Sequence, residues 1–288
     1  MVVKEAVIKL LMVTGGNKGI GLAIVRSLCE KFDGTVYLTA RDAKRGEAAV
    51  DELKKDGLKV KFHQLDIDDQ NSIDKFSDFL KENYEGLDIL VNNAAIAYPV
   101  DSTVSFGEQA ENTIRVNFFG VLATCKALFP LLRPHARVVN LSSSEGHLTK
   151  IPGDSLRKKF SNPDLTEEEL CDLMRQFVEA AKKGEHEKHG WRNSAYGVSK
   201  VGVTALTFMQ QKAFDADERP DIIVNAVHPG YVSTDMSNHK GPLTVEQGAD
   251  APVYLALLPP GVSLPRGEYI WCDRQVVNWF KGPMPAPY

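Results

Sequence analysis

Short apolar runs alternate with amphipathic stretches along nearly all of this 288-residue chain, and no other feature limits its fold as tightly. Runs too short for a buried helix read as strands, and the 3.6-residue periodicity between them reads as crossover helices, so the pattern builds βαβ units. Strands are expected at Val7 to Val13, Thr35 to Thr39, Val60 to Leu65, Leu87 to Val91, Val138 to Leu141, Ile222 to Ala226 and Tyr269 to Trp271. Helices are expected near Gly21 to Lys31, Lys44 to Lys55, Ser72 to Asn83, Glu108 to Leu132, Ala195 to Phe214 and Val245 to Leu257. Seven such strands fit one Rossmann-type, doubly wound α/β sheet, parallel throughout and flanked by helices. With 43% hydrophobic residues the chain can bury that core. One domain over residues 1–288 is expected, with a proline-rich surface tail from Gly282 to Tyr288.

Composition removes several function classes. The 34 basic and 38 acidic residues leave a net charge of -4, too balanced for a nucleic-acid or anionic-membrane surface. Cys29, Cys125, Cys171 and Cys272 form no CxxC pair, so neither a metal knuckle nor a disulfide framework is expected and a reducing compartment is the simplest reading. The amino terminus carries no signal-peptide cleavage pattern, no stretch approaches the ~20 apolar residues of a membrane span, and a cytoplasmic location follows by default.

The segment Thr14-Gly15-Gly16-Asn17-Lys18-Gly19-Ile20-Gly21 follows the first strand and opens the first helix, where a phosphate can meet backbone N–H groups. Gly15 permits the tight turn, Gly19 lets a pyrophosphate approach, and Gly21 lets helix press on strand. The second strand ends in Thr39-Ala40-Arg41 rather than in the carboxylate that holds an NAD ribose, so Arg41, with Lys18 as a second cation, points to the 2′-phosphate of NADPH.

Tyr196 and Lys200 stand four residues apart on an expected helix, which puts phenol and ammonium on one face. Poising a phenol near neutrality requires lowering its pKa from ~10 by ~3 units, about 4 kcal/mol. One cation at about 5 Å in an effective dielectric of ~20 supplies about 3 kcal/mol before desolvation is subtracted. A charged nicotinamide could add the rest.

Between the fifth strand and the Ala195 helix lies a long insertion, about residues 146–193. Thr166 and Glu169 form a T-x-x-E capping box, Glu167 to Glu169 suit a helix start, Lys182 and Lys183 suit its end, and Gly184 closes it. Leu170, Leu173, Met174, Phe177, Val178 and Ala181 make an apolar stripe that must be covered, by the rest of the chain or by a protein partner.

TGGNKGIG at Thr14 to Gly21, NNAA at Asn92 to Ala95, NLSS at Asn140 to Ser143, YGVSK at Tyr196 to Lys200 and HPGYVST at His228 to Thr234 together resemble the short-chain dehydrogenase/reductase family. TGGNKGIGLAIVR, LTARD, FHQLDIDD, VNFFG and YLALLPP look like its monomeric cytosolic carbonyl reductases, over nearly the whole chain. The resemblance implies that Ser143 hydrogen-bonds a substrate carbonyl, Tyr196 protonates it, Lys200 binds the nicotinamide ribose and lowers the tyrosine pKa, and Asn117 holds a relay water. It also implies that Asp66 and Ile67 contact adenine, that Asn93 lies beside the adenosine ribose, and that Pro229, Gly230, Val232 and Thr234 approach the pyrophosphate or carboxamide of NADPH/NADP+. Without the resemblance Asp66 could cap a turn, Asn93 could tie strands together and Thr234 could start a helix. Ala95 replaces the glycine of the family's NNAG, and His228 and Tyr231 stand where cysteine and tryptophan are common. Tyr231 would then face the substrate pocket. The insertion, as in monomeric relatives, would cover a surface used elsewhere for oligomerisation, so a monomer acting on a small-molecule carbonyl is expected.

Other patterns are set aside. His186-Glu187-Lys188-His189 has one residue too few between its histidines for a zinc helix and reads as a solvated helix end. Asn140-Leu141-Ser142 spells a glycosylation acceptor inside an expected buried strand, and the three tryptophans are expected to fill core or grooves. Two other functions remain open: an NADP-dependent dehydrogenase of steroid or prostaglandin alcohols, and a non-enzymatic NADP-sensing adaptor.

Overall fold

A computed structural model describes residues 8–286. Its sheet has seven parallel strands in the order β3-β2-β1-β4-β5-β6-β7, as the alternation demands. The strands are β1 (Leu10–Val13), β2 (Thr35–Ala40), β3 (Lys61–Gln64), β4 (Leu87–Asn92), β5 (Leu132–Leu141), β6 (Ile223–Val227) and β7 (Tyr269–Ile270). The expected start of the first strand at Val7 lies outside the described residues. The helices are α1 (Gly19–Lys31), α2 (Ala43–Lys55), α3 (Gln70–Asn83), α4 (Phe106–Ile114), α5 (Val121–Leu128), α6 (Asp154–Phe160), α7 (Glu167–Lys182), α8 (Ala195–Asp215) and α9 (Val245–Ala256).

Successive strand residues point to opposite faces, and each strand therefore feeds two cores. Leu11, Val13, Leu38 and Val91 join Ile24, Leu28, Val50 and Val253 beneath α1, α2 and α9. Leu10, Met12, Leu90 and Val138 join Phe76, Phe118, Phe177 and Val201 on the other face. The strand order reverses between β1 and β4, and the carboxyl ends beside such a switch point are where doubly wound sheets form their ligand crevice.

The structure departs from the expected elements in three places. The helix expected from Glu108 to Leu132 is broken into α4, a π-helical turn at Arg115–Gly120, α5 and a 3-10 turn at Phe129–Leu131; the stretch around the π turn is buried on nearly every side, so no single apolar stripe is there to show the phase slip of one residue. This stretch, Phe106–Leu131, is long and apolar enough to cross a membrane by length and composition, contrary to expectation, but 56% of its most apolar window is buried inside the protein. Strand β5 begins well before Val138: its register on β4 jumps from Leu87↔Leu132 to Ile89↔Arg137 around a left-handed His135. The insertion holds α6 as well as α7.

Helix α7 begins with the expected capping box between Thr166 and Glu169. It ends at a left-handed Gly184, with Glu185 N–H bonded to the Ala180 carbonyl and Gly184 N–H to that of Ala181, a Schellman closure. Leu170, Leu173, Met174, Phe177 and Ala181 are buried and Val178 partly so, against α4 and α8 of the same chain. His186 is not a solvated helix end: it is buried and stacks on Phe106, centroids 4.4 Å apart. Gly153 N–H donates to the Gly190 carbonyl at 2.9 Å, so the intervening excursion leaves and rejoins the body at one point. Trp191, Trp271 and Trp279 are all buried. The tail is exposed through residue 286 apart from a partly buried Met284, and the Trp271 indole anchors it by donating to the Ala286 carbonyl at 2.6 Å. Phe177 is fully buried among Phe106, His186 and Trp191, so Phe177→Ala is expected to lower the unfolding free energy by about 3–5 kcal/mol in urea denaturation.

Candidate active site

The crevice is lined first by the glycine loop. Gly15 and Gly19 both have φ near +60°, the region open to glycine. A Cβ at Gly21 would stand 2.4 Å from Asn93 Nδ2 and from the Gly15 carbonyl oxygen, so only glycine lets α1 approach this closely. Asn93 donates through Nδ2 to the carbonyls of Thr14 (2.8 Å) and Gly15 (3.0 Å), and Thr14 Oγ1 accepts from the N–H groups of Asn93 and Ala94. Asn93 thus ties the β1 and β4 loops together, the role open to it without a ligand.

Several observations fit a phosphorylated dinucleotide. Lys18 caps α1 without a side-chain cap bond, which leaves first-turn N–H groups for an anion. Arg41, at the end of β2, is exposed and has no ion-pair partner among the described residues. The adjacent carboxylate of Asp42 is occupied as the N-cap of α2. Lys18 is not a free cation: its Nζ lies 2.6 Å from Asp235 Oδ2, so a phosphate would compete with that carboxylate. This ion pair draws the segment after β6 over the glycine loop, with Thr234 Cγ2 3.5 Å from a Cβ placed on Gly19. Within that segment Pro229 and Val232 are buried, Gly230 is left-handed, and Tyr231 is 40% exposed. Asn17 and Ile20 are partly exposed on the loop. Asp66 closes its own turn by accepting from Asp68 N–H at 3.1 Å, and Ile67 is buried with its carbonyl beside Gly120.

The second wall is the start of α8. Ser194 caps the helix by accepting from Gly197 N–H, which orients its first turn and Tyr196. Lys200 is buried, its Nζ 5.7 Å from the centre of the Tyr196 ring and donating to the Leu141 carbonyl at 2.6 Å. Leu141 ends β5, and Ser143 follows two residues later with its own carbonyl accepting from Tyr269 at 2.7 Å. Asn117 sits in the π turn, fully buried. Its Oδ1 accepts from Ile96 N–H, and its Nδ2 donates to the Ile96 carbonyl and to Ser199 Oγ. The fold therefore brings Asn117, Ser143, Tyr196 and Lys200 to one end of the sheet, beside the crevice.

The electrostatics differ from the simple expectation. Although part of the Tyr196 ring meets solvent, desolvation pushes its phenol up to about 12, with the Ser143 hydroxyl opposing this by hydrogen bonding and Glu145 adding to it. Burial brings Lys200 down to about 8. In the chain by itself, desolvation outweighs the attraction between ammonium and phenolate, and the tyrosine is held as a protonated phenol at neutral pH.

Sequence reasoning missed the residues that hold the turn carrying Ser143. Tyr269, read only as a strand residue, grips Ser143; His228, noted only as a departure, accepts from Ser144 N–H at 3.0 Å through Nδ1 and packs on Trp271. Nothing in their spacing to Ser143 announces this, since β5, β6 and β7 meet only in the sheet. His186 and His189 join no cluster of metal-ligating groups among the described residues, and all four cysteines are free. Asn140 is buried and bonded to Asn92, Thr207 and Gln210.

The depressed Lys200 carries a stability consequence. Its charged form is disfavoured in the folded chain, so the penalty is full below pH ~8 and fades as pH rises toward the unfolded lysine value of ~10.4. Lys200→Met is expected to raise unfolding free energy by about 1–3 kcal/mol at neutral pH. Denaturant titrations from pH 8 upward should show this advantage shrinking; an advantage constant with pH would contradict the assignment.

Residues 9–154 match the family model described as short chain dehydrogenase. The chain is 50% identical over 274 residues to carbonyl reductase [NADPH] 3 of Mus musculus, covering 94% of this chain and 98% of that protein. It is equally similar to carbonyl reductase [NADPH] 1 of Homo sapiens, with 94% and 99% covered. Among solved structures, salutaridine reductase from Papaver somniferum superposes with a TM-score of 0.83 at 31% identity, covering 91% of this chain and 99% of that one. By these likenesses the chain belongs to the short chain dehydrogenase family.

Proposed function

We propose that this protein is an NADPH-dependent reductase of carbonyl compounds, converting quinones, ketones or aldehydes to alcohols within a single Rossmann-type domain. The observation that carries this reading is the convergence of Ser143, Tyr196 and buried Lys200 on a sheet whose second strand ends beside Arg41, exposed and without an ion-pair partner among the described residues. The relatives named for NADPH and carbonyl reduction support both cofactor and reaction.

Arg41 takes the 2′-phosphate and the first turn of α1 takes the pyrophosphate, while Asp66, Ile67 and Asn93 border the adenosine and the Pro229 to Thr234 segment closes over the other end. NADPH, when bound, supplies the hydride. Ser143 donates from Oγ to the substrate oxygen, and Tyr196 gives that oxygen its phenolic proton, so negative charge never accumulates fully on it. Lys200 stabilises the phenolate left behind. Asn117 Oδ1 accepts one hydrogen bond in the chain and keeps a lone pair for a relay water, through which solvent returns a proton by way of Lys200 to the Tyr196 phenolate. Tyr231 borders the substrate.

The phenol is protonated at neutral pH, the form that reduction requires, and the relatives named for carbonyl reduction support that direction over alcohol oxidation. The intact tyrosine and lysine count against an adaptor. Coverage of α4 and α8 by α7 supports a monomer, and the balanced charge supports a cytoplasmic protein without nucleic-acid or membrane partners.

Tyr196→Phe is expected to lower kcat by about 10²-fold or more, followed as NADPH absorbance with a panel of quinones, ketones and aldehydes; unchanged turnover throughout would remove the assigned acid. Arg41→Ala should raise KM for NADPH about tenfold while leaving that for NADH nearly unchanged. Light scattering at micromolar protein should give the mass of one chain, 31.8 kDa, and excision of residues 154–189 should produce self-association; a stable dimer of the intact chain through the α7 face would refute the monomer.

A further inference from the structure

Between the catalytic serine and tyrosine lies a charged cluster that the reaction as described does not use. Glu145, in the turn after β5, pairs with the Arg192 guanidinium at the end of the insertion and stands 3.7 Å from Lys150 Nζ. Arg192 also donates to the Glu145 carbonyl at 3.4 Å. The backbone of the same residue reaches the site, since Glu145 N–H donates to Ser143 Oγ at 3.2 Å.

Close packing locks this arrangement to α8. A Cβ at Gly197, one residue after Tyr196, would lie 3.1 Å from Arg192 Nη1 and 3.3 Å from the Glu145 carbonyl oxygen. A Cβ at Gly146 would lie 2.8 Å from the Lys200 backbone. Two glycines thus admit the Glu145 turn against the first turn of the catalytic helix, and Arg192 clamps it there.

We propose that Glu145 and Arg192 are a positioning pair for the reduction: clamped to each other beside the first turn of α8, they hold the turn that aims Ser143 and place a balanced pair of charges next to Tyr196. The inference rests on the carbonyl-reductase reading. Glu145 acts on the Tyr196 phenol and on Tyr269, opposing ionisation of both. Arg192 compensates that negative charge, so the two residues pull in opposite directions. The titratable and charged groups around them are Lys200 on α8, Lys150 in the 148–150 turn, Tyr269 on β7, His147 packed on Tyr269, and His228, which holds Ser144. None of these changes in the variants below.

The test is the alkaline limb of kcat/KM for a quinone at saturating NADPH, set by loss of a proton from Lys200 or Tyr196, both of whose pKa values a nearby negative charge raises. Glu145→Gln removes a negative charge and is expected to move the limb down by about half a pH unit. Arg192→Gln leaves Glu145 uncompensated and should move it up by about as much. Arg192→Lys keeps the charge and should leave the limb in place, and the Glu145→Gln/Arg192→Gln double variant should return it near its original position. Melting temperatures accompany each measurement; if Arg192→Gln does not fold, Glu145→Gln against Arg192→Lys decides. Shifts in the same direction, or no shift in Glu145→Gln, overturn the inference. Absence of carbonyl reduction by the unmodified protein would instead overturn the reading on which it rests.

Discussion

The site depends on the hydrogen bond from the buried Lys200 ammonium to the Leu141 carbonyl. An ammonium loses most of its hydration at such depth, and burial is tolerated only where a fixed acceptor replaces water. The end of a parallel strand offers one, because its last carbonyls leave the ladder. With the buried hydrogen bonds of Asn140 to Thr207 and Gln210 and of Ser142 to Thr204 and the Lys200 carbonyl, this contact sets the height of α8 relative to β5. It thereby fixes where Tyr196 stands relative to Ser143, two residues beyond Leu141. The crowding at Gly146 and Gly197 follows from the same approach, since a helix drawn this close leaves no room for side chains on the turn it meets.

Around this contact the protein distributes support over elements distant in sequence. Tyr269 and His228 hold the backbone of the serine turn from β7 and from the loop after β6. Asn117 joins the β4 loop to Ser199, the neighbour of Lys200. Arg192 brings the end of the insertion onto the same turn. The insertion consequently does two things: α7 covers α4 and α8, and its last residues brace the catalytic wall.

Much of the fold was legible because parallel strands buried on both faces read as apolar runs and their crossovers read as amphipathic helices. The α7 cap was legible for a similar reason, since Thr166, Glu169 and Gly184 act on backbone groups within a few residues of themselves. The π turn at Arg115–Gly120, the extension of β5 and the burial of His186 were not. The π turn lies in a stretch buried on nearly every side, where a slip of one residue leaves no mark on an apolar stripe. Arg137, charged and within an expected loop, is buried because Asp221 and the carbonyls of Leu258 and Pro259 surround it. His186 is buried because Phe106, far upstream, supplies a ring to stack on.

The sequence alone determined the strand and helix order, the glycine loop and the pairing of Tyr196 with Lys200, all of which rest on local geometry and on spacings of a few residues. Tertiary structure alone decided the state of that pair. Lys200 carries a cation whose reach over four residues is legible in its position, yet the degree of desolvation depends on β5, β7 and the serine turn closing around it. Burial in that enclosure raises the phenol and lowers the ammonium, reversing the expectation drawn from charge and spacing, because hydration is lost to every neighbour at once and a sequence motif names only one of them.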